Sequence, residues 1–150
     1  MSDTVFTYTP TQSRPTAWEA ALGLRNGSNL ERISEAQTGL PADAFQNFAE
    51  TAGVTREALA KAVHVSVRTV QRRGEAGERL DPGPSERLVR LADLYARASE
   101  TIGDDALARQ WMQTPREIFG GLTPFELAGS ELGAREVEDL LLRIEHGVFY

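Results

Sequence analysis

The chain reads as an all-α protein, with an N-terminal helix-turn-helix domain followed by a second, small helical domain. Three observations point that way. Apolar residues recur at i, i+3 and i+4 through most of the sequence, residues that favour helix caps and glycine stops punctuate them at helical lengths, and no segment alternates apolar and polar residues as a half-buried strand would. A length of 150 residues suits one domain, or two small helical units that share a core.

Taken in order, residues 1–15 are rich in Thr, Ser and Pro with little periodicity and read as a mobile arm. A short helix follows Pro15, with Trp18 and Leu22 four apart, and Arg25-Asn-Gly27 is a turn. Ser28 or Asn29 caps a helix that places Leu30 and Ile33 on one face and stops at Gly39 and Pro41. Pro41 opens the next helix, with Phe45, Phe48 and Ala49 inward and Gly53 as its stop. Thr55 is the N-cap of a helix with Leu59, Ala60 and Val63 inward, and a shorter helix opens at Ser66 with Val67 and Val70 inward. Residues 75–84 hold several glycines and prolines and read as a loop, after which Ser85 caps a long helix striped by Leu88, Leu91, Ala92, Tyr95 and Ala98 and ended near Gly103.

The remaining segments are shorter. Asp104 or Asp105 begins a helix through Trp111 and Met112, and one helical turn runs from Pro115 to Phe119 before Gly120-Gly121. Thr123-Pro124-Phe-Glu126 spells a capping box with proline at the first helical position. A last helix beginning around Gly133 carries Val137, Leu140, Leu141 and Ile144 at helical spacing and ends at Gly147. Trp18 and Trp111 read as core residues. The expected partition is an arm over 1–15, a helix-turn-helix DNA-binding region over 16–98 and a second domain over 99–150.

Composition excludes several classes of function. Apolar residues make up 41% and charged residues 25%, as in ordinary globular chains, and no apolar run approaches the ~20 residues that span a bilayer. The N-terminus lacks the basic and apolar regions of a secretory signal, so a cytoplasmic, membrane-free protein is expected. With no cysteine and only His64 and His146, far apart, neither thiolate chemistry nor a zinc site is expected. No paired His and acid constellation and no phosphate-binding glycine loop is present, so no catalytic residues, no cofactor and no enzyme activity are expected.

The net charge is −6, but it is unevenly distributed. Residues 99–150 carry ten acids and four bases, a balance of −6, whereas residues 1–98 carry twelve of each. Residues 58–74 hold Lys61, Arg68, Arg72 and Arg73 and no acid, a local +4. Phosphate binding depends on such a local face and not on the total.

That basic stretch coincides with the helix-turn-helix, which runs from about Thr55 to Arg73. Close crossing of two helices needs a small residue in the first, here Ala60, with Leu59, Val63, Val65 and Val70 around the turn. The turn usually takes glycine because one residue adopts positive φ; His64 stands there instead, and Arg73 occupies a position where an apolar residue is common. Ser66 can cap the second helix and donate to a phosphate. Arg68, Thr69, Gln71 and Arg72 project opposite the valines, where Arg can bridge guanine N7 and O6 and Gln can bridge adenine N6 and N7, each pairing worth about 1–3 kcal/mol of discrimination. Lys61 and Arg73 are expected to clamp the DNA backbone. The bland alternative is a helical hairpin with a solvated basic face. Arg87 and Arg90 are placed either to flank DNA or to pair with Glu86 or Asp93 on their own helix.

The residues carry a family resemblance as well. Gly39-Leu-Pro41, Leu59-Ala60, Val65-Ser66-Val-Arg68-Thr69-Val-Gln-Arg72-Arg73 and Ser85-Glu-Arg87-Leu-Val-Arg90-Leu91 resemble the Xre-type antitoxins of bacterial toxin–antitoxin pairs. Ala108-Arg-Gln-Trp111-Met, Phe119-Gly-Gly121-Leu-Thr-Pro124-Phe-Glu-Leu127 and the run from Gly133-Ala134 through Val137 to Ile144-Glu-His146-Gly147-Val148 resemble the C-terminal domain shared by Xre, ParS and MbcA proteins. The match covers roughly residues 39–148 in consistent order. The resemblance implies an antitoxin that binds a RES-domain toxin, an enzyme that depletes NAD, and blocks its active-site entrance with the antitoxin's C-terminal end. It also implies a homodimer joined through the C-terminal domain and repression of the antitoxin's own promoter. Carried to this chain, the inhibitory segment is Glu145, His146, Gly147, Val148, Phe149 and Tyr150.

The residues themselves support part of this. Val148, Phe149 and Tyr150 make an apolar chain end that either folds back on the core or anchors in a partner's pocket. The acidity of residues 99–150 either complements a basic substrate site or is a solvated helix face, and His146 beside Gly147 reads as a helix cap. The alternative function is a stand-alone helix-turn-helix repressor whose C-terminal half only dimerises.

Overall fold

The computed structural model describes residues 14–25 and 28–147. Among them the helices are α1 (Ala17–Ala21), α2 (Asn29–Thr38), α3 (Ala42–Ala52), α4 (Arg56–Val63), α5 (Val67–Glu75), α6 (Pro82–Ile102), α7 (Asp105–Met112), α8 (Pro124–Leu127) and α9 (Glu131–Glu145), with a 3-10 turn at Glu117–Phe119. No strand forms among the described residues; Pro41 and Arg79 make one isolated antiparallel bridge. The protein is all-α, with the helix-turn-helix domain first and the smaller helical domain after it.

Side-chain caps set most of the helix starts. Thr16, Ser28, Thr55, Ser66, Asp104, Thr123 and Ser130 each accept the backbone N–H three residues on. Each satisfies a donor that the first helical turn leaves unpaired, typically worth about 1 kcal/mol. Gly53 and Gly103 end α3 and α6 in the left-handed conformation.

The start of α6 departs from the sequence expectation. The helix begins at Pro82 and not after Ser85, with Asp81 at the cap position and no side-chain cap bond. Prolines are tolerated here because the N–H groups of a first turn have no intrahelical acceptor. The punctuation that reads as loop is therefore compatible with helix, and the loop itself shortens to residues 76–81. Ser85, released from capping, is fully buried and its Oγ accepts the N–H of Leu40 at 2.8 Å. That bond ties the α2–α3 connection to α6. Close approach recurs at Gly39, where φ is +97° and a Cβ would collide with the carbonyl of Leu80. At the other end of the chain, α9 starts two residues before Gly133, because Ser130 caps it and Gly133 lets the Leu127 carbonyl cross its first turn.

Helix α6 is the axis of the molecule and packs on α1, α2, α4, α7 and α9. Phe45, Phe48, Leu59, Val63, Leu88, Leu91, Tyr95, Met112 and Val137 are buried in one continuous core, each contributing about 1.5–3 kcal/mol in transfer terms. The core runs without a break from the first half into the second. Trp18 is in it: its ring lies 4.8 Å from Tyr95, and its Nε1 donates to Ser99 Oγ at 3.0 Å. Phe48 meets the other side of Tyr95 edge-on at 5.6 Å. Trp111 is only half-buried, with the Arg116 guanidinium 4.5 Å from its ring centroid. Leu30 and Ile33 share a face of α2 as expected, but that face is exposed; Ala36 turns inward instead.

A line of charges runs from the buried Glu19 to the surface of the bundle. Glu19 of α1 faces Arg32 of α2 at 3.0 Å, Arg32 approaches Asp93 of α6 at 4.0 Å, Asp93 pairs with Arg97 at 3.1 Å, and Arg97 reaches Glu138 of α9 at 3.0 Å. The partly exposed pairs of Asp93, Arg97 and Glu138 contribute little each, about 0.2–1 kcal/mol, whereas Glu19 is buried and needs Arg32 as its counter-charge.

Candidate nucleic-acid interface and partner face

The α4–α5 pair has helix-turn-helix geometry. Helix α4 spans eight residues and α5 nine, and between them His64 adopts φ 58°, ψ 47°. Among the described residues it is the one non-glycine side chain at positive φ. This conformation costs an L-residue roughly 1–2 kcal/mol, less for types that tolerate it, and here it lets the His64 and Val65 N–H groups both reach the Ala60 carbonyl. Ala60 is buried at the crossing, with Leu59, Val63 and Val70 packed around it. Val65 and Val67 are half-buried against the same core.

The outward side of α5 brings together Arg68, Gln71 and Arg72, all exposed. Thr69 is half-buried beside them. Ser66 works as the expected cap, accepting the Thr69 N–H at 3.0 Å and donating its hydroxyl to Thr69 Oγ1 at 2.8 Å. Gln71 donates to Glu75 one turn on, at 3.3 Å. Lys61 is exposed on α4 and forms no hydrogen bond or ion pair with this set among the described residues.

Arg73, expected as a backbone clamp, is engaged elsewhere. Its guanidinium pairs with Asp81 at 2.9 Å and donates to the Arg79 carbonyl at 2.9 Å, bracing the loop that links α5 to α6. Arg79 extends the brace by donating to the Gly39 carbonyl at 2.8 Å. An arginine fits where an apolar residue is common because its stem packs while its head crosses to the loop. Sequence spacing carries no sign of the Arg73–Asp81 pair, which forms only once the loop folds back.

The C-terminal half packs directly on this unit. Arg109 of α7 and Gln113 at its C-cap donate to the Thr51 and Ala52 carbonyls at the end of α3, at 3.3 and 3.1 Å. Gly129, in the α8–α9 turn, sits against the Ala62 carbonyl of α4, where a Cβ would lie 3.2 Å from the oxygen. Beside that contact a groove of about 830 Å³ separates α4 from α8, with Val54, Ala58, Leu122, Phe125 and Leu127 among its walls. Burial lowers the pKa of Arg116, whose guanidinium lies against Trp111.

Helix α9 ends with His146 at the C-cap position and Gly147 at φ +70°. Glu145, His146 and Gly147 are exposed; Val148, Phe149 and Tyr150 lie outside the described residues. Apolar side chains are exposed elsewhere on this half, Leu132 at 75% and Ile118 at 56% among them. Among the described residues no group of three His, Cys, Asp or Glu side chains could hold a metal, and no helix is long and apolar enough to cross a membrane.

Two family models match the chain. The family model of the Antitoxin Xre-like helix-turn-helix domain matches residues 31–93, and that of the Antitoxin Xre/MbcA/ParS C-terminal toxin-binding domain matches residues 97–147. An Antitoxin Xre from Yersinia enterocolitica is 30% identical over 142 residues, which is 94% of this chain and 95% of the relative. The chain belongs to the Xre antitoxin family. An Antitoxin Xre from Photorhabdus laumondii is 26% identical over 138 residues, covering 91% of this chain and 92% of its own. With an Antitoxin Xre from Pseudomonas putida the identity is 35% over 83 residues, 55% of this chain and 52% of that one. This Xre-family antitoxin therefore combines a helix-turn-helix domain and a toxin-binding domain on one shared core.

Proposed function

We propose that this Xre-family antitoxin holds a RES-domain, NAD-depleting toxin inactive and represses its own operon. The observation that carries the reading is the pairing of the two family matches on consecutive stretches of one chain. Inhibition is assigned to the segment Glu145, His146, Gly147, Val148, Phe149 and Tyr150, which blocks the toxin's active-site entrance. Its described part supports the assignment: the end of α9 is exposed and not folded into the bundle. Exposed apolar side chains on the same half, Leu132 and Ile118, suit a protein partner. The −6 balance of residues 99–150 suits a toxin whose substrate carries pyrophosphate and whose site is correspondingly basic.

Operator binding is assigned to Lys61, Ser66, Arg68, Thr69, Gln71, Arg72 and Arg73. Within that set Arg68, Gln71 and Arg72 read bases, Lys61 touches the backbone, and Ser66, Thr69 and Arg73 position α5 through the contacts they make within the chain. The chain is divided at about residues 98–99 between the DNA-binding and toxin-binding functions, and the second region carries a homodimer contact. Co-expression of the tagged chain with the RES-type protein of the adjacent reading frame tests the partnership. A stable complex at fixed stoichiometry is expected, and recovery of the antitoxin alone under the same conditions refutes it.

A further inference from the structure

Arg87 and Arg90 lie three residues apart on α6, and both are half-buried. Neither makes an ion pair or hydrogen bond among the described residues, and the Nε of Arg90 is buried without a partner. The acids on their own helix do not pair with them. Asp93 is taken by Arg97 at 3.1 Å and approached by Arg32 at 4.0 Å, while Glu86 stays exposed although it stands four residues before Arg90. A guanidinium presents a planar fork of donors that matches a phosphate, and neither of these two is spent on a counter-charge among the described residues.

Both arginines line a cavity of about 370 Å³. His64 of the α4–α5 turn and Glu86 line it too, as do Ser130 and Glu131 from the start of α9. Glu86 and Glu131 are both exposed residues, and Glu131 is already paired with Arg135 at 3.0 Å. The position of the cavity identifies a source of phosphate. His64 is two residues before Ser66, the N-cap of α5, and the N-terminal end of a recognition helix is the end that enters the major groove beside the phosphate backbone.

We propose that this cavity takes a phosphate of the operator backbone, held by Arg87 and Arg90, so that the start of α9 in the toxin-binding half borders the DNA contact. The inference rests on the operator-binding reading above and adds a contact outside the helix-turn-helix itself.

The test measures binding of the full chain to its own promoter DNA, and to a scrambled duplex of equal length, across a salt series. The R87Q/R90Q variant is expected to bind both duplexes more weakly by a similar factor and to lower the slope of log K against log salt by about 1, the value for one lost phosphate contact. R87K/R90K keeps the charges and is expected to recover most of the slope. An unchanged slope in R87Q/R90Q with an intact thermal transition overturns the proposal. So does weaker capture of the toxin with unchanged DNA binding, which assigns the arginines to the protein partner. If the glutamine variant does not fold, inorganic phosphate is titrated into the wild-type chain at constant ionic strength while the His64 imidazole is followed by NMR. A saturable shift is expected, and no shift overturns the proposal. Failure of the wild-type chain to retain its promoter removes the operator reading itself, an outcome distinct from normal retention with an unaltered slope.

Discussion

Ser85 Oγ accepts the backbone N–H of Leu40 at 2.8 Å, across 45 residues of sequence, in a place from which water is excluded. The bond fixes the α2–α3 connection against the first turn of α6. Replacing Ser85 by Ala leaves that N–H buried and unpaired, a loss of about 1–3 kcal/mol. A fall of several degrees in Tm, measured by calorimetry, is expected. A melting curve unchanged from wild type shows that the connection finds another acceptor.

His64 holds the turn in a conformation that glycine adopts freely. His64→Gly relieves the left-handed strain but adds freedom to the unfolded chain, so a modest net gain, up to about 1 kcal/mol, is expected. His64→Val places a β-branched residue at the same φ and is expected to destabilise. Chemical denaturation of the two variants checks the ordering, and a Val variant as stable as the Gly variant contradicts the role given to the turn.

Arg68 and Arg72 project from α5, whereas Arg73 braces the loop through Asp81. Arg68→Ala or Arg72→Ala is expected to reduce discrimination between the operator and altered sequences by about 1–3 kcal/mol if each reads one base. Arg73→Ala is expected to cost up to about 1 kcal/mol of stability, since its ion pair is partly solvated, and to leave the sequence preference as it was. Competition gel shifts with single-base operator variants separate the two classes. A shift in preference caused by Arg73→Ala moves that residue into the reading set.

Tyr95 is buried between Trp18 and Phe48, and its hydroxyl has no hydrogen-bond partner. Burial raises its pKa above the ordinary 10.0, with the nearby positive charge of Arg109 opposing the shift more weakly. The folded state therefore favours the neutral phenol. Its contribution is fully present below pH 10, the unfolded value, and is lost progressively as pH rises above it. Tyr95→Phe is expected to hold or raise Tm at pH 7 and to flatten the alkaline loss of stability. Parallel alkaline melting curves for the variant and the wild type contradict this.

Much of the fold is legible in local sequence because caps and stops act locally. Thr55, Ser66, Asp104 and Thr123 cap the helices that their spacing predicts, and His64 takes the positive φ that the turn requires. What local reading misses depends on partners distant in sequence or on two uses of one residue. The prolines at 82 and 84 suit a loop and a first helical turn equally, so the start of α6 and the burial of Ser85 emerge only when Leu40 is brought alongside. Asp81 claims Arg73, Arg97 and Arg32 claim Asp93, and Glu86 stays exposed, so Arg87 and Arg90 pair with neither acid their spacing offered. Trp111 looks like core in sequence, yet it lies at the edge of the packing with Arg116 over its ring. Of the candidate sites, the outward face of α5 is the more readable, because helical periodicity alone separates Arg68, Gln71 and Arg72 from the valines.

In the function proposed above, the end of this chain stops a toxin from consuming NAD. The most direct measurement follows NAD by absorbance or fluorescence while purified RES-domain toxin is titrated with the intact antitoxin and with a version ending at Gly147. Inhibition that saturates at a fixed ratio for the intact chain, and is weakened by loss of Val148, Phe149 and Tyr150 while promoter retention stays the same, is the predicted result. NAD consumption unaffected by the intact antitoxin contradicts inhibition of a RES-domain toxin by this chain, and equal inhibition by both forms contradicts the role given to the tail.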